Sequence, residues 1–417
     1  MRTSSIVTLI TLQFFIVGPA TAADADSKSA ADQSQRIHNV ENGLRVIVAG
    51  AEGPILAAER STLADRMESY RIPGVSIAVI EDFKIVWTRG YGSLKAGGSV
   101  PVTTESIFQT GSTSKLVVSV IALHYVETGA LDLDADVNAY LKSWTVPENE
   151  FTKGQKVTLR LLLEHRAGMP SGNIGYDKEI GVPTLVQFLK GESPATNPPA
   201  HVELVPGSQW QYSNIGYDVV QLLLEDVTGK PLTQLAEEVV FAPLGMNSST
   251  FVYPLRPEDR KREAMPHNTE GATCEPELDP SAVAQGGLLS TPTDLAVFNI
   301  ELMRAYRGES ERLLSPAMAR QLFQKAAPLD PAIFGLPSSF DVGEGLGVFL
   351  RYKGEIFSFV HPGHNYPGTT CWLEGCPDTG NGVIIVTNGN KGDRLAFEIL
   401  AAVIDEYEWP IGQFFPE

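Results

Sequence analysis

The chain has 417 residues, 43% hydrophobic and 20% charged, which is too apolar for a disordered protein and long enough for two or three structural units. Its formal charge is -18, from 32 basic and 50 acidic residues. No basic surplus is left to neutralise phosphates, and an anionic membrane surface would repel the chain, so neither a nucleic acid nor a membrane is an expected partner.

Arg2 gives the N-terminus a positive start, residues 6–17 are mostly apolar, and Pro19-Ala20-Thr21-Ala22 offers a small-x-small cleavage site. This pattern predicts a signal peptide over 1–22 and a secreted or periplasmic protein. A buried first helix or a membrane anchor is the alternative, but the apolar stretch is short for a span, and no later run is long enough for one. Residues 23–53 are polar and mixed, and read as a loosely attached leader.

Ile55, Leu56, Leu63 and Met67 among charges predict a helix over 54–70, broken by Pro73-Gly74. Strand-like runs at 75–80 and 85–91 predict a hairpin turning at Glu81-Asp82. Helical signals then dominate from about 105 to 270. Periodic segments at 116–127, 159–165, 214–227 and 232–241 stop at Gly129, Gly168-Met169-Pro170, Gly229 and Pro243. The stretch 171–207 is rich in Gly, Pro and Asn and reads as loop with one short helix near 184–190. After Gly286-Gly287 a helix is expected over 293–306, then strands over 345–351, 356–360, 369–373 and 383–387. An amphipathic helix over 394–407 follows, with Leu395, Ile399, Leu400 and Val403 on one side.

Two strands early and four late, joined by short turns, predict an α/β fold with one mostly antiparallel sheet made from both ends of the chain. Helices flank the sheet and the helical middle is an insertion. The expected units are a sheet domain over 54–105 and 275–417 and an all-helical domain over 106–274.

The cysteines are Cys274, Cys371 and Cys376, too few for a disulfide scaffold. Cys371 and Cys376 lie five apart in one expected strand, a span of ~16 Å, beyond the ~7 Å between Cα atoms that a disulfide allows. Cys274 pairs with one of them or all three are free. No metal-ligand spacing occurs; His361 and His364 would point to opposite faces of a strand. No metal or cofactor is expected.

The chain has no His-Glu-x-x-His, no Walker loop, no Gly-x-Gly-x-x-Gly and no Gly-x-Ser-x-Gly elbow. What stands out is Ser112-Thr113-Ser114-Lys115 at a helix start. A serine hydroxyl needs a base to take its proton, and a lysine three residues on lies on the same side of a helix. The helix start adds a positive dipole end and a backbone N–H for a developing oxyanion. By composition one such spacing is expected in a chain of this length, so taken alone a capping serine with a solvated lysine is the better reading of it. Tyr212-Ser213-Asn214 before the 214–227 helix is a second element. A buried tyrosine near an ammonium can have its pKa lowered and shuttle protons, and the asparagine can hold a substrate amide; a plain helix-entry loop is the alternative. Ser171-Gly172-Asn173 is similar but lacks the tyrosine. The third element is His361-Pro362-Gly363-His364 at a strand end. There the glycine admits substrate to the backbone, the next N–H can complete an oxyanion hole, and the proline suits only an edge.

In that order, Ser112-Thr113-Ser114-Lys115, Tyr212-Ser213-Asn214 and His361-Pro362-Gly363 resemble the motifs of the serine β-lactamase and penicillin-binding-protein superfamily. The class C-related branch, with its DD-carboxypeptidases, D-aminopeptidases and esterases, is the most similar. Flanking phrases at 72–80, 159–165 and 286–292 agree, and the likeness spans about 54–405. The resemblance implies the β-lactamase/transpeptidase-like fold, with Ser112 as acylated nucleophile and Lys115 and Tyr212 handling its proton. It also implies Asn214 on a substrate carbonyl and the N–H groups of Ser112 and His364 as oxyanion hole, with Gly363 beside it. His361 stands where β-lactamases usually carry lysine, and Pro362 where they carry a hydroxyl-bearing residue. Both departures weaken recognition of a substrate carboxylate. The expected function is an exported serine hydrolase acting on esters or amides of small or D-configured substrates. A β-lactamase or DD-carboxypeptidase is the alternative, and a silent receptor for peptidoglycan-like ligands is another. Pocket shape is expected to come from the loops 171–207 and 253–280.

Overall fold

The computed structural model describes residues 22–413 except 51, 52, 173, 174, 335 and 337–339. The expected signal peptide therefore lies outside the described residues, Ala22 apart. Helix α1 (Ala22–Asn42) leads into a hairpin of β1 (Leu44–Gly50) and β2 (Gly53–Ser61), followed by α2 (Leu63–Tyr70) and a second hairpin of β3 (Gly74–Glu81) and β4 (Lys84–Gly92). Strand β5 (Phe108–Gln109) precedes α3 (Ser114–Glu127), α4 (Leu159–Leu163), α5 (Leu185–Lys190), α6 (Asn214–Thr228), α7 (Leu232–Ala236) and α8 (Ala242–Leu244). Strand β6 (Leu289–Ser290), α9 (Pro292–Arg307) and α10 (Pro316–Leu322) lead to β7 (Ala327–Pro328), β8 (Asp341–Glu344), β9 (Phe349–Lys353), β10 (Ile356–Asn365), β11 (Thr369–Cys376) and β12 (Asn381–Thr387). Helix α11 (Gly392–Glu406) follows.

The main sheet has eight antiparallel strands in the order β4-β3-β12-β11-β10-β9-β8-β7. Strands from both ends of the chain meet where β12 pairs with β3. Side chains alternate between two cores with the period of two that a strand imposes. Ala78, Ile80, Leu373, Ile384 and Val386 join α3, α6 and α9 on one face. Val75, Ile77, Trp372, Val383 and Ile385 join α2 and α11 on the other. Burial on both faces explains why β3 and β12 read as almost unbroken apolar runs.

Three expectations change. Within the expected leader the stretch 37–44 is not loosely attached: Ile37, Val40 and Leu44 are buried in the α11-side core. Arg36 pairs with Glu81 at 2.8 Å and stacks on Tyr407. Residues 54–61 form β2 rather than the start of a helix, because Leu56 packs inward while Glu59 and Arg60 stay outside. The stretch 345–351 is not one strand. Gly347 turns at φ +80 between β8 and β9, and a side chain there would strike Ser119 and Tyr217. Cys371 and Cys376 sit at opposite parts of β11, and Cys274, Cys371 and Cys376 are free thiols.

Glu398 of α11 fastens the N-terminal layer. It accepts from Arg66 at 2.8 Å and 3.1 Å, from the Tyr70 hydroxyl at 2.7 Å and from the Ile47 N–H at 3.2 Å, with its own side chain fully buried. Removing one partner of a buried pair strands the other charge. Glu398→Ala should therefore destabilise the protein by about 3–5 kcal/mol, seen as a lower unfolding midpoint in denaturant, with Glu398→Gln milder.

Candidate active site

Ser112 lies on a single tight turn, Gly111–Thr113, that runs directly into α3. Gly111 takes φ +54, and a Cβ there would lie 2.5 Å from His364 N. A Cβ on Gly363 would lie 1.8 Å from Thr110 O. These glycines let the turn touch β10 backbone to backbone, and the Thr113 hydroxyl adds a bond to the His361 carbonyl at 3.2 Å. Residues 361–365 of β10 pair with β11 alone, whereas 356–360 pair with β9, only Phe359 and Val360 of them with β11 too. The second half of β10 is thus a local edge, which explains how Pro362 is accommodated without a ladder donor. Ser114 is structural: its hydroxyl donates to Gly111 O at 2.6 Å and accepts from Leu288 N–H at 3.0 Å. This second bond fixes the Gly286-Gly287 segment beside the turn.

Lys115 is fully buried, with Nζ 3.1 Å from Ser112 Oγ and 2.6 Å from the Gln285 carbonyl. Burial pushes the ammonium down to about 7, opposed in part by the negative charge of Asp218. A neutral amine can donate to Gln285 and still offer its lone pair to the serine proton. Asp218, also fully buried, contacts Gln285 Nε2 at 3.4 Å, and its carboxyl is raised by desolvation.

Tyr212 hydrogen-bonds Ser112, and its ring centre lies 5.0 Å from Lys115 Nζ. Its pKa is raised, contrary to expectation, because desolvation outweighs that hydrogen bond. Tyr212 therefore stays a neutral phenol, a donor rather than a phenolate base. Its loop is braced from several sides. The Ser171 hydroxyl donates to Tyr212 O at 2.7 Å, and the Ser213 N–H donates to His165 Nδ1 at 3.1 Å. The His165 ring packs 4.3 Å from the Tyr212 ring. Ser213, not Asn214, caps α6 by accepting from Gly216 N–H.

His361 is 1% exposed and donates from Nδ1 to the Pro362 carbonyl at 2.8 Å. Burial first, then Lys115, lower its pKa to about 3, so it is a neutral imidazole. His364 is exposed, near Asn390 at 3.2 Å. A cleft of about 370 Å³ is lined by Ser112, Tyr212, Gly363 and His364. Lys115 and His361 stand behind this wall, and Asn214 sits half-buried at the first turn of α6, outside the lining. None of the described residues of 171–207 or 253–280 lines the cleft. Its other walls come from Trp210, from Ile333 and Leu336 ahead of β8, and from β8 to β11 and α11. No group of residues among those described could hold a metal ion, and no described helix is long and apolar enough to cross a membrane.

His165, Asp218 and Gln285 were not singled out as functional in the sequence. Asp218 had a usable signal, standing four residues from Asn214 on one helix face. His165 and Gln285 reach the site only through tertiary contacts.

The groups facing Lys115 are Asp218 from α6, His361 from β10, His165 after α4, and Tyr212 and Tyr217. The histidines are neutral above their lowered pKa values, so the titrating pair is the Lys115 amine, lowered by burial, and the Asp218 carboxyl, raised by it. If the free amine is the base, kcat/KM for an uncharged ester falls as pH drops through about 7, as Lys115 gains a proton. Asp218→Asn keeps the contact with Gln285 but removes the charge that holds the proton on. That variant should move the acid limb to lower pH, whereas a purely structural defect would lower kcat without moving the limb.

The family model described as Beta-lactamase matches residues 60–406. The chain is 27% identical over 348 residues to penicillin-binding protein 4 of Amycolatopsis lactamdurans, covering 81% of this chain and 86% of that protein. It is 29% identical over 226 residues to the D-alanyl-D-alanine-carboxypeptidase/endopeptidase AmpH of Escherichia coli K12, covering 53% of this chain and 55% of that one. The unguisins hydrolase ungD' of Aspergillus campestris is 27% identical over 201 residues, 44% of this chain and 34% of its own length. In fold it is similar to the octameric penicillin-binding protein homologue from Pyrococcus abyssi, at TM-score 0.68 and 24% identity over 85% of this chain and 78% of that one. With the family match spanning most of its length, the chain belongs to the Beta-lactamase family and is a serine hydrolase of that superfamily.

Proposed function

We propose that the protein is an exported serine hydrolase that forms an acyl-enzyme at Ser112 on esters or amides of small or D-configured, uncharged substrates. The observation that carries this reading is the 3.1 Å contact between Ser112 Oγ and a buried Lys115 amine held near neutrality. In this mechanism Lys115 takes the serine proton as Oγ attacks the substrate carbonyl. The N–H groups of Ser112 and His364 receive the oxyanion, and Asn214 holds a substrate carbonyl group. The neutral Tyr212 phenol passes a proton to the departing alcohol or amine, and Lys115 replenishes it. Water then attacks the ester carbonyl with the same groups in reverse roles.

The neutral His361 and the donor-less Pro362 favour uncharged substrates, because a charge-assisted bond to a carboxylate is worth ~1.5–3 kcal/mol. By their names, relatives act on D-alanyl-D-alanine peptides and on unguisins, and the first of these supports amide substrates of D-configuration.

A panel of p-nitrophenyl acetate, a chromogenic cephalosporin and a D-Ala-D-Ala peptide tests this. Ser112→Ala and Lys115→Met should each lower kcat/KM on the ester about a thousandfold or more. The ester should exceed the carboxylate-bearing substrates by about tenfold or more. A wild type that prefers the cephalosporin or the peptide would replace this reading with that of a β-lactamase or carboxypeptidase. An inert wild type that still binds peptidoglycan fragments would make it a receptor.

A further inference from the structure

The cleft does not end at the catalytic turn. Beyond Ser112 it passes the β10 edge and opens onto the α11 side of the sheet, where Val342, Phe349, Val360, Trp372 and Phe397 form its walls and Trp210 stands next to Tyr212. These residues belong to, or pack against, the same apolar core as α11, so the cleft is an unfilled continuation of that core up to the nucleophile. The rings of Trp372 and Phe397 meet at 4.6 Å, and Phe349 stacks toward Tyr212 at 6.4 Å.

The charged lining residues do not change this character. Arg351 has a side chain 2% exposed, and Glu374 neutralises it at 2.7 Å with Ser358 and Trp372 on the same carboxylate. Asp393, at the start of α11, is exposed and adds a negative charge. A carboxylate entering here would meet apolar rings and a like charge.

We infer that this pouch binds the acyl part of the substrate, and that its ligand is a large uncharged apolar group, a medium-length alkyl chain or an aryl ring, rather than acetyl. The inference rests on the hydrolase reading above. The acyl side is assigned because Ser112, whose Oγ stays bonded to the acyl group, lines the pouch; Tyr212 lines it too, so the esters below vary the acyl group and the alcohol separately. Size agrees: an apolar cavity of ~150 Å³ already admits benzene, and this cleft has about 370 Å³.

The test is a ladder of p-nitrophenyl esters from acetyl through butyryl and hexanoyl to octanoyl, run with wild type and with Ser112→Ala. Each methylene moved from water into the pouch should raise kcat/KM about two- to fourfold. Val342→Phe, which fills the pouch, should bring the octanoyl-to-acetyl ratio down to within about threefold, and Phe397→Ala should shift the optimum to longer chains. A flat or falling ladder with Ser112-dependent turnover overturns the pouch assignment and leaves the hydrolase reading intact. A rise that appears only when the alcohol of an acetate ester is lengthened overturns the acyl assignment. Absence of any Ser112-dependent ester turnover overturns both.

Discussion

The site depends on one close approach. The turn that carries Ser112 and the strand that carries His364 come together without side chains between them, because Gly111 and Gly363 have none to interpose. Any Cβ at either place would collide with backbone, which cannot rotate away as a flexible side chain can. The approach has three effects. It joins the helical insertion to the sheet at the point where chemistry is required, and it turns the His364 backbone toward the Ser112 turn. It also ends the pairing of β10 with β9, since the strand cannot serve the turn and a full ladder together. The cleft is the space this leaves.

A second constraint is the desolvation of Lys115. In water an amine is protonated at neutral pH and useless as a base. Here burial alone opposes the proton, and Asp218 moderates the effect from across Gln285. A histidine at 361 fits this balance. It is neutral and held by its own neighbour's carbonyl, so it adds no second cation beside the lysine. Tyr212 responds to the same dry surroundings in the opposite sense, keeping its proton. One environment thus produces a proton acceptor from one residue and a proton donor from the other.

Most of this was legible where local chemistry decides structure. The glycine stops of α3 and α6, the β3–β4 hairpin and the serine, tyrosine and histidine motifs all depend on residues near one another in the chain. The misreadings fall where distant partners decide. Ile55 and Leu56 fit a helix until β1 supplies a strand for β2 to pair with. The polar face of α1 hides Ile37 and Val40, which are apolar positions too sparse to stand out without α11 behind them. Gly347 looks like a strand residue until Ser119 and Tyr217 approach, and Gly345 until the Leu322 carbonyl does. The direction of the Tyr212 shift required knowing how dry the site is. The pouch is built from strands and a helix that only the folded sheet brings together, so no single stretch announces it.

The junction of β12 with β3 has a further consequence, for how the molecule is made. Strand β3 finds β4 at once, but its other neighbour arrives roughly three hundred residues later, a separation typical of slow, high-contact-order folding. Until then a nearly all-apolar strand presents an unpaired edge, the kind of surface that seeds association between chains. Helix α11, which covers that face, comes later still. Strand β10, which meets the serine turn, is likewise made long after that turn. Pairing of the β3 edge and assembly of the cleft therefore both wait for the last part of the chain.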